Sequence, residues 1–142
     1  MTSTLPLAMF LLSGVLAAGS CSAADSPTAP AEGAEFQLKI GESATPAGGD
    51  GLTVTFTDVV GDSRCPTEVV CVWAGEVTIA LELAGAGQAA SRVELTIGAD
   101  PAKASAALDG HTLHLLRVDP YPQAPGKIER SQYRATLKVE RN

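Results

Sequence analysis

The residues of this chain with the most evident chemistry are two cysteines in the stretch DSRCPTEVVCVWAGE, residues 62–76. Cys65 and Cys71 are separated by five residues. Two thiols this close normally pair in an oxidising compartment, and the small ring that they close stabilises a fold by about 2 kcal/mol. Pro66 has a fixed φ and favours extended backbone at Cys65, which helps the ring to close. The first hypothesis is therefore a disulfide that staples a connection between two strands.

A binding loop is the second hypothesis for the same stretch. A ring held by a disulfide and a proline presents its side chains to a partner at low entropic cost. Proteinase inhibitors and adhesive modules use loops of this kind. Tyr121, in the proline-rich segment PYPQAPGK at residues 120–127, is the candidate for a second part of that surface. The candidate partner-binding residues inside the ring are Thr67, Glu68, Val69 and Val70.

A metal or thiol site is the third hypothesis. The separation of the two cysteines exceeds the short spacing of structural zinc ligands, and the Cys-x-x-Cys pattern of redox proteins is absent. His111 and His114 are further potential ligands, but strand residues an odd number of positions apart point to opposite faces of the sheet. We therefore expect each histidine to be a surface or half-buried side chain, and we predict neither a metal site nor a cofactor.

Catalytic motifs are absent from the chain. It contains no G-x-S-x-G, no H-E-x-x-H and no glycine-rich phosphate loop. We therefore predict that the protein is not an enzyme and assign no catalytic residue.

The other residues of the stretch have predicted structural roles. Trp73 lies two positions beyond the second cysteine, so in a strand it faces the same side and packs on the disulfide and the core. Gly75 permits either a close approach of backbone or a β-bulge at the start of the next strand. Arg64 has three candidate partners: the carboxylates of Asp62 and Glu76, and the face of the tryptophan ring.

The elements that position these residues are predicted from alternation. From Glu35 onward apolar and polar residues alternate with a period of two, as in strands with one face in a core. With a short strand at Val69–Trp73 this makes about seven strands. We predict an all-β fold, an antiparallel β-sandwich or a partly open barrel. The other predicted strands are Glu35–Ile40, Leu52–Thr57, Glu76–Leu83, Arg92–Ile97, His111–Val118 and Tyr133–Glu140.

Turn residues separate the predicted strands. Glycine-rich turns lie at residues 48–51 and 85–88, and the second connects two strong strands as a hairpin. Asp100 and Pro101 are typical of the N-cap and first position of a helix. We expect one short helix there, ending before Gly110, and a proline-containing loop at residues 119–131.

The N-terminus predicts the compartment. Residues 5–18 form an apolar run that is shorter than the ~20 residues needed to span a bilayer, and small residues follow it, as in a secretory signal. The sequence AAGSC, which ends at Cys21, resembles the lipobox of bacterial lipoproteins. That resemblance implies a diacylglycerol on the Cys21 sulfur, cleavage after Ser20 and acylation of the new amine, for example with palmitate. Two or more acyl chains are enough for stable anchoring.

The cysteine count agrees with that hypothesis. The chain has three cysteines, and lipidation of Cys21 leaves Cys65 and Cys71 as a pair. Residues 22–34 are rich in Ala, Pro and Ser and lack an apolar period, as in a flexible tether. We therefore divide the chain into a signal peptide at 1–20, a lipidated cysteine and tether at 21–34, and one β-domain at 35–142.

The overall charge excludes one class of partner. The chain has 142 residues and a formal net charge of −6. It has no basic surface for a phosphate backbone, so we predict no nucleic-acid binding.

The stretch at 62–76 also resembles a known signature. The pattern D-S-R-C-P-x-x-V-x-C-x-W-A-G-E is similar to one in small bacterial secreted proteins and lipoproteins that mostly have no assigned activity. The segments VDPYP (118–122) and YRATLKVE (133–140) resemble those proteins too. The signature positions here are Asp62, Ser63, Arg64, Cys65, Pro66, Val69, Cys71, Trp73, Ala74, Gly75 and Glu76.

The resemblance implies a compact β-domain outside the cytoplasm and no particular reaction. Together with the lipobox it predicts a lipoprotein anchored to a bacterial membrane, facing the periplasm or the cell surface. Its expected role is non-catalytic: it binds an envelope protein or has a structural task in the envelope.

Overall fold

The computed structural model describes residues 29–142, except positions 86, 109 and 125. The predicted signal peptide, Cys21 and the first part of the predicted tether lie outside the described residues. No helix within the described part is long and apolar enough to cross a membrane.

The fold is an all-β sandwich of two antiparallel sheets, as predicted. The strands are β1 Glu35–Lys39, β2 Ser43–Ala44, β3 Thr53–Asp62, β4 Val77–Ala84, β5 Ser91–Ile97, β6 Ser105–Leu108, β7 His111–Asp119 and β8 Arg134–Arg141. One sheet has the order β1-β8-β7-β6 and the other β2-β3-β4-β5. Within the described part of the chain the strands do not close into a barrel.

Alternation along the strands builds an aliphatic core between the sheets. Phe56, Ile79 and Leu81 from one sheet are fully buried, as are Leu113 and Leu137 from the other. Burying one face of each sheet against the other is the main stabilising contribution in a sandwich of this kind. The polar face of each strand remains outside.

A β-bulge in β7 explains why the pattern there is irregular. The pairing of β7 with β8 shifts between Leu115 and Arg117, so the extra residue changes which face the later side chains occupy. Leu115 and Val118 are both buried, whereas Leu116 between them is partly exposed.

The predicted helix after Asp100 is shorter than expected. It is a four-residue 3-10 helix, Pro101–Ala104, and the Asp100 carboxylate caps it by accepting a hydrogen bond from the Ala102 N–H at 3.0 Å. The cap and the proline are therefore confirmed, but the extension toward Gly110 is wrong. Residues 105–108 form β6 instead, because pairing with the edge of β7 satisfies their backbone.

The sandwich has two ends, which we call the loop end and the entry end. At the loop end β3 and β7 end and β4 and β8 begin. At the entry end β3 and β7 begin and β4 and β8 end. The chain arrives at the entry end, where the Pro30 carbonyl accepts a hydrogen bond from the Ala47 N–H at 2.7 Å and Glu32 lies 3.9 Å from Arg141. Contacts with the domain thus begin a few residues before β1.

Candidate functional site

Residues 63–76 continue the β3–β4 hairpin beyond the sheet. The Ser63 N–H donates to the Glu76 carbonyl at 2.8 Å, and the Cys65 N–H donates to the Ala74 carbonyl at 2.9 Å. These bonds hold two arms side by side, and a disulfide between Cys65 and Cys71 closes the tip. The predicted staple is present.

Gly75 has the close contact that its position predicted. Its φ is +73°, and a Cβ there would overlap the carbonyl oxygen of Ser63 on the facing arm. Only glycine combines this left-handed backbone with such a near approach of the chain.

Arg64 is a buried cation that connects the two sheets. Its Nε and Nη2 donate to the two carboxylate oxygens of Asp62 at 2.8 and 2.6 Å. Its Nη1 donates to the Val118 carbonyl at 2.6 Å, and Nη2 also donates to the Pro120 carbonyl at 3.0 Å. Bidentate pairing of this kind is geometrically specific and strong. Arg64 therefore ties the hairpin of one sheet to the end of β7 in the other.

The structure decides between the predicted partners of Arg64. Asp62 binds the guanidinium, and Glu76 does not. The guanidinium carbon also lies 5.0 Å from the centroid of the Tyr121 ring, so the cation–π partner is Tyr121 rather than Trp73.

Tyr133 completes this cluster. Its hydroxyl donates to the Asp62 carboxylate at 3.1 Å. Burial raises the pKa of Tyr133 to about 12, and the negative charge of Asp62 adds to the effect. Burial alone would raise the pKa of Asp62, but the hydrogen bonds and charge of Arg64 outweigh it and hold that pKa below its usual range.

The disulfide ring is attached to the loop that follows β7. The Thr67 N–H donates to the Pro122 carbonyl at 3.2 Å, and the Ala124 N–H donates to the Glu68 carboxylate at 2.8 Å. The bond from Ala124 lowers the pKa of Glu68. Of the candidate partner-binding residues in the ring, Glu68 therefore has its carboxylate engaged within the domain, whereas the side chains of Thr67, Val69 and Val70 are exposed.

The prediction that Trp73 packs on the core is wrong. Its side chain is 81% exposed. Residues 69–73 form no strand, and the chain bends at Val72 and Trp73, so the alternation argument does not apply to them. The arms also extend past the end of the opposite sheet, so no facing strand covers the indole.

Exposed apolar side chains are concentrated at this end of the sandwich. Of the seven exposed large hydrophobic residues in the described part, five lie on the ring, on the arm that follows it and on the loop after β7. Val70 is completely exposed, and Val72, which the sequence analysis missed, is 91% exposed. The run of apolar residues VVCVW at positions 69–73 could have indicated this exposed surface, because the run lies in a loop. We call this group the apolar tip; it consists of Val69, Val70, Val72, Trp73 and Tyr121.

A groove of about 570 Å³ runs between the two aromatic residues of the apolar tip. Trp73 and Tyr121 line it, and its floor includes Ile97 and Gly98. Glu76 is the only acidic residue among those that line it. We call it the aromatic groove.

A second groove, of about 610 Å³, lies on the other side of Arg64. It is more highly charged, but most of its charges are matched: Asp58 pairs with Arg130, and Asp62 with Arg64. Its two remaining charged lining residues, Lys127 and Glu129, have opposite signs, whereas the single unpaired charge among the residues that line the aromatic groove is negative.

The two histidines are placed separately. His111 is buried at the entry end, with its Nε2 at 2.9 Å from the Gly48 carbonyl and 3.5 Å from Asp50. His114 lies on the opposite face of β7, 3.4 Å from Glu140. Within the described residues no three His, Cys, Asp or Glu side chains form a group that could hold a metal ion.

Comparisons with protein-family models, with curated proteins and with solved structures give no match to this chain.

Proposed function

We propose that this chain is a lipid-anchored, extracytoplasmic binding module of the bacterial envelope, and that its apolar tip contacts a partner protein. The observation that carries the proposal is the exposure of the apolar tip on a backbone that the fold holds firmly in place. The lipobox-like N-terminus supplies the compartment and the anchor. The disulfide is consistent with an oxidising compartment.

The tip is preorganised. The disulfide closes the ring, Arg64 binds its base to the other sheet, and two hydrogen bonds attach it to the loop after β7. A surface that is already ordered loses little conformational entropy when it binds. These constraints support recognition rather than catalysis, and we propose no reaction.

The composition of the tip also fits a protein partner. Soluble domains rarely leave contiguous apolar side chains in water without a use for them. Tryptophan and tyrosine are enriched among the residues that contribute most to the binding free energy of protein interfaces. Trp73 and Tyr121 are therefore the expected anchors, with the valines around them.

The position of the tip favours a partner other than the anchoring membrane. The chain enters at the opposite end of the sandwich, and β3, which has 10 residues, runs from near that end to the tip. At roughly 3.3 Å per residue, the tip and the entry end are about 30 Å apart. In the proposed arrangement the entry end faces the anchoring membrane, and the apolar tip faces away from that membrane.

Site-specific photo-cross-linking in the host envelope tests the binding role. A photoreactive amino acid at Val72 is expected to give one discrete protein adduct, because this side chain of the apolar tip is 91% exposed and adjoins Trp73. The same probe at Glu82, an exposed position of β4 nearer the entry end, is the matched control and is expected to give none. Trp73→Ala should remove the adduct and change the free energy of unfolding by less than about 0.5 kcal/mol.

Two results would contradict the proposal. One is equal labelling from both positions. The other is labelling of phospholipid instead of protein from position 72, which would make the tip a membrane contact.

A further inference from the structure

The aromatic groove contains a carboxylate, that of Glu76, which forms no ion pair with any residue that the structure describes. Among the described residues Glu76 has no ion-pair partner, although it lines the groove. Other acids at the loop end are matched: Asp62 pairs with Arg64, Asp119 with Arg117, and Glu68 accepts a backbone hydrogen bond. Glu76 is therefore the accessible unmatched charge of the groove.

The fold holds Glu76 in place. Its backbone N–H donates to the Ser63 hydroxyl at 3.1 Å and its carbonyl accepts from the Ser63 N–H at 2.8 Å. Its side chain lies against Gly98, where a Cβ would come within 2.7 Å of the Glu76 Cβ and 3.2 Å of its Oε2. The absence of a side chain at position 98 thus makes the room that the carboxylate occupies beside the groove floor.

The aromatic walls of the groove also attract positive charge, as the carboxylate of Glu76 does. The faces of tryptophan and tyrosine rings attract cations, and Trp73 is largely exposed while Tyr121 is half exposed. Arg64 also lines the groove, but its side chain is 7% exposed and its charge is paired with Asp62. The Tyr121 ring already has the Arg64 guanidinium 5.0 Å from its centroid. An incoming cation therefore meets the exposed indole of Trp73, the remaining exposed surface of Tyr121 and one unmatched negative charge.

We propose that the aromatic groove binds an organic cation, the guanidinium or ammonium group of an arginine or lysine on a basic segment of the partner protein. This inference rests on the proposed function, because it names the chemistry by which the apolar tip recognises its partner. The valines of the apolar tip would contact apolar residues that flank the basic one. The tip faces away from the proposed anchor, which favours a protein segment over a lipid head group as the source of the cation.

Fluorescence can test the cation directly, because Trp73 is the only tryptophan of the chain. N-acetyl-arginine amide and N-acetyl-lysine amide, titrated into the full chain, should each give a saturable change in indole emission. A single small cation is expected to bind with a Kd on the order of millimolar. Added salt should weaken the binding, since screening reduces the attraction to Glu76. N-acetyl-citrulline amide has the shape of the arginine probe without its charge and should give no saturable change.

Substitutions assign the site. Glu76→Gln keeps the size of the side chain and removes the charge, so we expect the affinity for the arginine probe to fall by about tenfold or more. Glu82→Gln removes the same charge from an exposed position farther along the hairpin and should leave the affinity unchanged. Gly98→Ala displaces the Glu76 side chain and should weaken binding while Glu76 itself is intact.

Several outcomes would overturn the inference: equal binding of the citrulline probe, unchanged affinity in Glu76→Gln, or saturable binding of choline without binding of either amino-acid probe. The cross-linking at position 72 separates this failure from that of the proposed function. If the Val72 adduct is found and the arginine probe does not bind, the partner-binding role stands and the cation assignment is wrong. If neither is found, both are wrong.

Discussion

At the scale of single residues, the contact with the largest structural consequence is the pair of Arg64 and Asp62. Both side chains are 7% exposed, and the guanidinium also binds two carbonyls on the other sheet. Removing one partner of a buried ion pair typically costs about 3–5 kcal/mol, because the other charge is left without compensation. Lysine cannot replace this arginine fully, since it lacks the planar group that bonds two carboxylate oxygens at once.

Tyr133 gives this cluster a measurable dependence on pH. Its pKa is raised in the folded state from 10.0 to about 12, so the folded chain retains a proton that the unfolded chain loses. The resulting stabilisation is fully present below pH 10 and is lost as the pH rises toward 12. In an ultraviolet titration we expect one tyrosine of the folded protein to ionise near pH 12, and Tyr133→Phe to lack that transition.

Chemical unfolding across the same range supplies the second measurement. The stability of the wild-type protein should decrease more steeply above pH 10 than that of Tyr133→Phe, which has no phenol to ionise at this position. Parallel decreases in the two proteins would show that the hydroxyl is not held by Asp62.

At the scale of elements, the extended hairpin is the unit that carries the candidate site. Its arms are joined by backbone hydrogen bonds and its tip by a disulfide. The ring is small, with a sequence separation of six between the cysteines, so closing it contributes about 2 kcal/mol. Packing of side chains contributes little further to the stability of the apolar tip, because within the described residues no sheet covers it.

Gly75 and Gly110 form a matched pair that tests the close approach of the hairpin arms. Both have φ +73°, but a Cβ at Gly110 meets no atom within 4 Å. Gly110→Ala should therefore cost only the strain of left-handed backbone, about 1–2 kcal/mol. Gly75→Ala adds a collision with the backbone of Ser63 and should cost more than about 3 kcal/mol. Urea unfolding measures both, and equal losses would mean that the arms separate freely.

At the scale of the whole molecule, the two ends of the sandwich carry different features. The entry end receives the chain and contains the contacts of Arg141 with Asp50 and of His111 with Gly48. The loop end carries the apolar tip and the aromatic groove. The length of the strands separates the proposed anchor from the proposed recognition surface, so in the proposed arrangement the tip is accessible to a partner.

The proposed anchor is tested by fractionation of the host cells. The wild-type protein should sediment with the membranes, whereas Cys21→Ala should be found in the soluble extracytoplasmic fraction, because it cannot receive the diacylglycerol. Cys65→Ser is the control: it removes a different cysteine, so it should remain with the membranes. A Cys21→Ala protein that still sediments with the membranes would exclude anchoring through this residue.

Much of the fold was predictable because its signals are local. Alternation along a strand decides which side chains can be buried together, and it correctly located the long strands and the all-β class. Two features of the fold were not predicted from the sequence. Residues 105–108 became a strand through pairing with β7, and Leu116 is exposed because a bulge shifted the register; both depend on a neighbouring strand rather than on local sequence.

The sequence by itself determined the all-β class and the proximity of Cys65 and Cys71, since each follows from alternation or spacing within a few residues. Only the tertiary structure decided that Arg64 binds Asp62 and carbonyls 54 and 56 positions away, and that Trp73 lies in solvent. These outcomes depend on where the second sheet ends. Burial depends on neighbours in three dimensions, and an apolar side chain is buried only where another part of the chain packs over it.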